Sequence, residues 1–233
     1  MAAHGNILVR AFALALAALL PVFAQAETQD EFWPELNAYI KLEERVRLYL
    51  LATSTSAMDS PQLRGGQDPE VGAYLDFTLT PIFRPALMDA DWERDRYVWV
   101  RAGYSRIGEG SSAENRGILE LTTRYPQAAS IWIVGRLRYE ARDIGGQHSD
   151  RYRIRLGVER EVSWFWRIAV PYVTAEAYYD TRYDDWNRQQ YRVGAEIALD
   201  DRWRIEPYLA RQNDTRSQPE HVNALGLALK YYR

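Results

Sequence analysis

A chain of 233 residues with no cysteine excludes a disulfide-stapled scaffold, a thiolate metal site and a lipid-modified N-terminal Cys. A formal net charge of −3 offers no basic excess for nucleic acid. Mean hydropathy of −0.44 is that of a soluble protein, but a sheet that alternates apolar and polar residues conceals a membrane-facing side from such an average.

Residues 1–26 read as a secretory signal. Arg10 supplies the positive start, Ala11 to Val22 the short apolar core, and Ala24-Gln25-Ala26 the cleavage site. The apolar run is shorter than the ~20 residues that a spanning helix needs. Residues 27–233 then form one domain, opening on an acidic leader, Glu27 to Glu31.

From Phe32 onward the chain alternates with a period of two, the strand period rather than the helical 3.6. Leu36, Ala38, Ile40 and Leu42 alternate with Glu35, Asn37, Tyr39 and Lys41, and after Glu43-Glu44 the pattern resumes with Val46, Leu48, Leu50 and Ala52 against Arg45, Arg47 and Tyr49. A turn-rich loop, Ser56 to Pro69, leads to Val71–Thr80. The acidic connection 84–95 carries Asp89, Asp91, Glu93 and Asp95, read as a solvated loop because a calcium site's spacing and glycine are missing. Val98, Val100, Ala102 and Tyr104 then oppose Trp99 and Arg101, and Leu119, Leu121, Thr123 and Tyr125 oppose Glu120, Thr122 and Arg124.

The clearest segment is Trp132–Glu161. Ile133, Gly135, Leu137, Tyr139 and Ala141 alternate with Arg136, Arg138, Glu140 and Arg142; past Gly145-Gly146, Arg151, Arg153, Arg155 and Glu159 alternate with Tyr152, Ile154, Leu156 and Val158. A β-hairpin places every charge on one face and every apolar residue on the other. The aromatic turn Trp164-Phe165-Trp166 follows, read as an interface anchor. Three further strands run through Tyr172–Asp180, Tyr191–Leu199 and Arg204–Leu209, and a last one through Ala224–Tyr231.

These segments, roughly 10 to 14 residues each, are longer than the ~5–6 of ordinary soluble strands and match the ~9–11 that cross a bilayer. Short turns alternate with longer polar loops at 56–69, 108–115, 143–150, 181–187 and 213–220. The fold class expected is all-β, a transmembrane antiparallel β-barrel; a soluble calycin-like barrel with the charges outside is the alternative. Tyr104, Tyr125, Tyr139, Tyr152, Tyr179, Tyr191, Trp203 and Tyr231 sit near strand ends on or beside the apolar face, as an interfacial girdle requires. Eleven segments are legible, whereas bacterial single-chain barrels have even strand numbers. The count settles on 12, with 10 as the alternative and the missing strand sought near Glu27–Trp33 or in 84–95.

Phe32-Trp33-Pro34, Glu114-Asn115-Arg116, the Arg136-x-Arg138-x-Glu140-x-Arg142 and Asp150-Arg151-x-Arg153-x-Arg155 runs, and Pro171-Tyr172-x-x-x-Glu176 resemble the domain-of-unknown-function family numbered 2490. The resemblance covers the chain from Phe32 to its end. It implies a barrel in the bacterial outer membrane, in contact with outer-membrane lipid and lipopolysaccharide, and it brings no activity. As in other outer-membrane proteins, the last strand should end in an aromatic residue read by the barrel-assembly machinery. Here Arg233 holds the final position, leaving Tyr231 or Tyr232 as the substitute.

On a barrel, the charged face lines the lumen. The inward basic candidates are Arg45, Arg47, Arg101, Arg136, Arg138, Arg151, Arg153, Arg155, Arg192 and Arg204; the inward acids are Glu120, Glu140, Glu159, Glu176, Glu196 and Glu206. A guanidinium that cannot lose its proton must pair or stay wet, so a structural or passive barrel with a locked Arg/Glu lumen is the first reading. A small anion-preferring porin for acidic solutes or oligosaccharides is the second, since rings of Arg favour anions. A hydrolase is the third: His148-Ser149-Asp150 has triad residue types, and Asp184-Asp185 with His148 has those of an omptin-like protease, but sequence neighbours cannot readily aim at one another. No catalytic residue, metal or cofactor is expected, nor a nucleic-acid partner, and the barrel is expected to be monomeric.

Overall fold

The computed structural model describes residues 28–58, 67–79, 97–110, 113–127, 130–164 and 167–233. The readings for residues 1–26, for Asp89, Asp91, Glu93 and Asp95, and for the side chains of Trp164, Phe165 and Trp166 lie outside the described residues.

The strands are β1 (Thr28–Glu43), β2 (Val46–Ala57), β3 (Gln67–Thr78), β4 (Val98–Ile107), β5 (Glu114–Pro126), β6 (Ile131–Ile144), β7 (Gln147–Arg160), β8 (Val162–Trp164), β9 (Arg167–Asp180), β10 (Asp185–Ala198), β11 (Trp203–Asp214) and β12 (His221–Tyr232). The twelve segments make eleven staves. β8 pairs with the start of β9 in the register that β7 holds with the rest of it, Val162 opposite Ala169 and Glu159 opposite Tyr172. β8 therefore prolongs β7 past a one-residue break at Glu161.

Each stave pairs antiparallel with its neighbour in sequence, and β1 closes the ring by pairing with β12 in parallel, from Thr28↔His221 to Tyr39↔Tyr232. That closure removes the parity difficulty. An even count is required only if the two end strands run in opposite directions, and here they run together. Among the described residues the ring closes with eleven staves rather than 12 or 10: Phe32 and Trp33 belong to β1, and β3 pairs directly with β4.

One end of the barrel carries the short turns at 44–45 and 199–202, the other the connection after Ile107 and the loops at 181–184 and 215–220. At the first end the Asp200 carboxylate accepts the backbone N–H groups of Arg202 and Trp203, each at 2.7 Å, which hold it below the usual carboxylate range. The connection expected to loop over 143–150 is tighter than that. β6 and β7 pair to their tips, leaving Gly145 and Gly146 alone at φ 57° and 85°. Two consecutive positive φ values make a type I′ turn, which glycine enters without penalty and which matches the twist of the strands.

The Leu-rich apolar set of the alternation faces outward. Leu36, Leu75, Leu119, Leu137, Leu156 and Leu209 are exposed, Leu156 to 63%. Tyr104, Tyr125, Tyr152, Tyr191 and Trp203 are exposed with them. Towards the loop end Tyr139, Tyr152, Tyr179 and Trp186 form a chain of ring contacts at 5.4, 6.3 and 5.7 Å, and Trp203 meets Tyr231 at 4.8 Å towards the other. These are two aromatic groups with Leu, Ile and Val between them, the arrangement expected of a lipid-facing exterior. A soluble barrel would turn this face inward; the structure turns it out.

Candidate functional site

The charged face of every stave points into the lumen and is largely buried there. On β6 and β7, Arg136 stands opposite Arg155 and Arg138 opposite Arg153. Like charges directly opposed repel, so the flanking strands must compensate, and they do. Glu120 on β5 lies beside Arg138 at 2.5 Å and within 3.5 Å of Arg136. Glu176 on β9 receives Arg136 at 2.6 Å, Arg153 at 3.0 Å and Arg155 at 2.7 Å. Glu140, with no exposed surface, takes Arg153 at 2.8 Å, Arg138 at 3.6 Å and Arg151 at 3.7 Å. Arg151 passes the network to Asp180 at 3.2 Å, which Arg142 also reaches at 2.5 Å. Arg142 continues to Glu114, and Glu114 to Arg116 at 2.6 Å.

One line of direct cross-strand neighbours winds through this network. It runs Arg47, Asp76, Arg101, Glu120, Arg138, Arg153, Tyr178, Arg188 and Asp214, one residue from each stave from β2 to β11. Asp76 is fully buried between Arg47 and Arg101, each at 2.6 Å. Arg188 donates to Asp214 at 2.6 Å. Because the strands of a barrel tilt, a line at right angles to them spirals. It starts beside the 44–45 turn and ends at the 215–220 loop.

The arc from β11 across the seam to β3 carries a set of tyrosines. Tyr232, Tyr39, Tyr49 and Tyr74, on β12, β1, β2 and β3, stack in sequence with centroids at 4.7, 4.7 and 5.3 Å, straddling the parallel seam. Arg204, Arg47 and Arg101 lie over the first three at 4.7, 4.3 and 3.9 Å. Tyr208 lies flat on the wall, its hydroxyl 2.5 Å from Glu35 and Arg192 4.6 Å above its ring. It can do so because Gly226 lies beneath: a Cβ there would sit 1.9 Å from the ring. Gly72 and Gly103 make the same room for Tyr74.

Most of the expected lumen residues are where the alternation puts them. Arg47, Arg101, Arg136, Arg138, Arg151, Arg153 and Arg155 join Glu120, Glu140 and Glu176 in the network. Arg192 sits 3.6 Å from Glu35 and Arg204 2.6 Å from Glu196. Glu159 pairs with Arg124, and Glu196 and Glu206 bracket Lys230. Arg45 is the correction. It lies exposed in the turn between β1 and β2, where strand parity no longer applies. Asp76, Glu114, Arg116, Arg142, Asp180 and Lys230 carry as much of the network as the residues singled out from the sequence. Strand parity applied without preference for Arg runs would have found them.

The hydrolase constellations do not assemble. His148 is 84% exposed and 3.2 Å from Asp143, while Asp150 accepts the Tyr139 hydroxyl at 2.7 Å. Asp184 accepts from Tyr179, and Asp185 pairs with Arg216 at 3.3 Å. Among the described residues, no group of three or more His, Cys, Asp or Glu is placed to hold a metal ion.

Between the network and the short-turn end lies a cavity of about 570 Å³. Arg101, Glu120, Arg136 and Arg155 line its inner end, or floor, and Arg47 lines it beside Tyr39. Trp99, Trp132, Val134, Ile168 and Val170 give one wall an apolar surface. Glu159, Glu161, Glu196 and Glu206 stand with Arg124, Arg204 and Lys230 towards the mouth.

No protein-family model matches the chain, and no curated protein matches it. Among solved structures it is similar to the anion-selective porin from Comamonas acidovorans, with 14% identity and a TM-score of 0.40, over 83% of this chain and 54% of that one. The chain thus spans about half the length of the porin.

Proposed function

We propose that this porin-like barrel is a monomeric outer-membrane protein of structural or passive type, whose lumen is locked rather than open. The observation that carries this reading is the burial of inward side chains on every stave. Asn37, Tyr49, Tyr74, Ser105, Ile118 and Glu140 are nearly or fully buried, as are Arg151, Tyr178, Gln190, Tyr208 and Ala224. All eleven staves contribute such a side chain, and a lumen packed from every side leaves little room for an open path. Membership of the family numbered 2490, contact with lipopolysaccharide and delivery by the barrel-assembly machinery belong to the same reading. The loop-end aromatic group, with hydroxyls bonded to Asn115, Asp150 and Asp184, is suited to a polar headgroup boundary.

The test is planar-bilayer conductance of the purified, refolded protein. The locked lumen gives no resolvable steps. Stepwise anion-preferring currents, weakened by Arg153→Gln with Arg155→Gln, establish instead the second reading, a narrow anion porin. That reading is favoured by the guanidiniums that face the cavity. The lipid-facing assignment has its own test. Leu156→Arg places a charge at mid-stave on the apolar exterior and is expected to cost about 2–4 kcal/mol of folding stability in lipid vesicles. An unchanged denaturant midpoint would remove Leu156 from the bilayer.

A further inference from the structure

We propose that the cavity at the short-turn end is a binding site for a small organic anion, a carboxylate or phosphate carried on an apolar or aromatic body. The inference rests on the barrel reading but not on whether the lumen conducts, because a blind vestibule and the mouth of a pore present the same walls.

The charge arrangement is the first ground. Seven basic residues line the cavity against five acidic ones, and four of those five, Glu159, Glu161, Glu196 and Glu206, lie towards the mouth. On the floor Glu120 lines the space, while two further carboxylates, Glu176 and Asp76, stand behind the guanidiniums. Glu176 serves Arg136, Arg153 and Arg155 at once and is 2% exposed, while Arg136 and Arg155 line the space in front of it. Asp76 is likewise fully buried behind Arg47 and Arg101. The floor is also short of acceptors. Arg136 faces Arg155 across the strand pair, and its Nε is buried without a hydrogen-bond partner. Guanidiniums already fixed by their rear partners are preorganised donors, and a carboxylate or phosphate is the group their fork fits.

The second ground is the wall. Trp99, Val134, Ile168 and Val170 provide an apolar face, and Trp132 is held rigid between the Arg124 guanidinium at 4.5 Å and the Tyr97 ring at 5.6 Å. A free inorganic anion would use none of this surface. A volume of about 570 Å³ falls in the range of small-molecule pockets. One charged head at the floor and one apolar body along the wall is the solute that satisfies both.

The experiment uses the full barrel in detergent, with phenyl phosphate and benzoate as probes and benzyl alcohol, benzylamine and inorganic phosphate as comparators, followed by calorimetry and ligand-observed NMR. Phenyl phosphate and benzoate are expected to bind. Benzyl alcohol and benzylamine are expected not to bind, and inorganic phosphate to bind about tenfold more weakly than its phenyl ester. Arg136→Gln with Arg155→Gln is expected to weaken binding about tenfold or more. Because that variant disturbs the network, Val134→Trp is the companion. It fills the space opposite Gly157 without changing a charge, and it is expected to abolish binding while the heat-dependent gel shift of the folded barrel persists. Equal binding of benzyl alcohol and benzoate, equal binding of phosphate and phenyl phosphate, or binding unchanged by Val134→Trp each overturns the proposal. Conductance, measured separately, leaves this result untouched.

Discussion

Glu176→Ala is expected to destabilise the barrel by at least about 3–5 kcal/mol, the scale for removing one partner of a buried ion pair. The reason is arithmetic of charge. Three guanidiniums, Arg136, Arg153 and Arg155, converge on this one carboxylate, and none of them can discharge by losing a proton. With the carboxylate gone, three cations lose a shared partner that is only 2% exposed, and Glu120 and Glu140 remain near Arg136 and Arg153 alone. Guanidinium-chloride unfolding in lipid vesicles, followed by tryptophan fluorescence, measures the loss. Glu159→Ala is the control, since Glu159 sits towards the open mouth where solvent screens its partner Arg124, and it should cost about 1 kcal/mol or less. Equal losses at the two positions would mean that the interior is wet. Adding Arg155→Met to Glu176→Ala should recover part of the loss, because an apolar side chain of similar length replaces an unpaired charge.

Gly226→Val is expected to be almost as damaging, by a different route. The Tyr208 ring lies where the new side chain would be, with ring atoms 1.9 to 2.3 Å from the first added carbon. Tyr208 must leave the wall, giving up its bond to Glu35 and its contact with Arg192. Overpacking alone costs about 1–3 kcal/mol, and the lost bond to a charged group adds about 1.5–3. The measurement is again the denaturant midpoint. Tyr208→Ala in the same chain should restore much of it by emptying the contested space. If the double variant is no better than Gly226→Val, the clash lies with the backbone and the ring is not its source.

The barrel and its two faces were legible because period-two alternation is a local property: Ile133 to Arg142 state it without reference to any other strand. The identity of the lumen residues followed from the same parity, and parity failed only where the strand does, at Arg45. Partnership was less legible. Nothing near Glu176 in sequence reveals that it faces three arginines, because two of them come from β7 and one from β6, and register is fixed by pairing across staves. The closure was hidden for a different reason. Eleven segments are legible and eleven staves form, but the even number of single-chain barrels argued for a twelfth, and the parallel pairing of β1 with β12 that makes an odd ring possible is not a local property. Tyr208 over Gly226 shows the limit most clearly. Each reads as an ordinary inward position, and only the fold brings a ring against a residue that lacks a side chain.

The parallel seam also shapes the order in which this chain acquires its structure. Every other pair of staves adjoins in sequence and can form as a hairpin or a short meander, at small cost in chain entropy. The pair β1–β12 joins residues as far apart as Asp30 and Asn223, 193 positions. Long loops are slow to close. The ten antiparallel pairings can accumulate as an open, curling sheet, but the ring is completed only when its two outermost edges meet. Until then both edges expose unpaired N–H and C=O groups. The stack of Tyr232, Tyr39, Tyr49 and Tyr74 spans that last join, so its ring contacts across the seam form only on closure. The step that makes this barrel a barrel is therefore a single late event, and its rate is set by one edge finding the other.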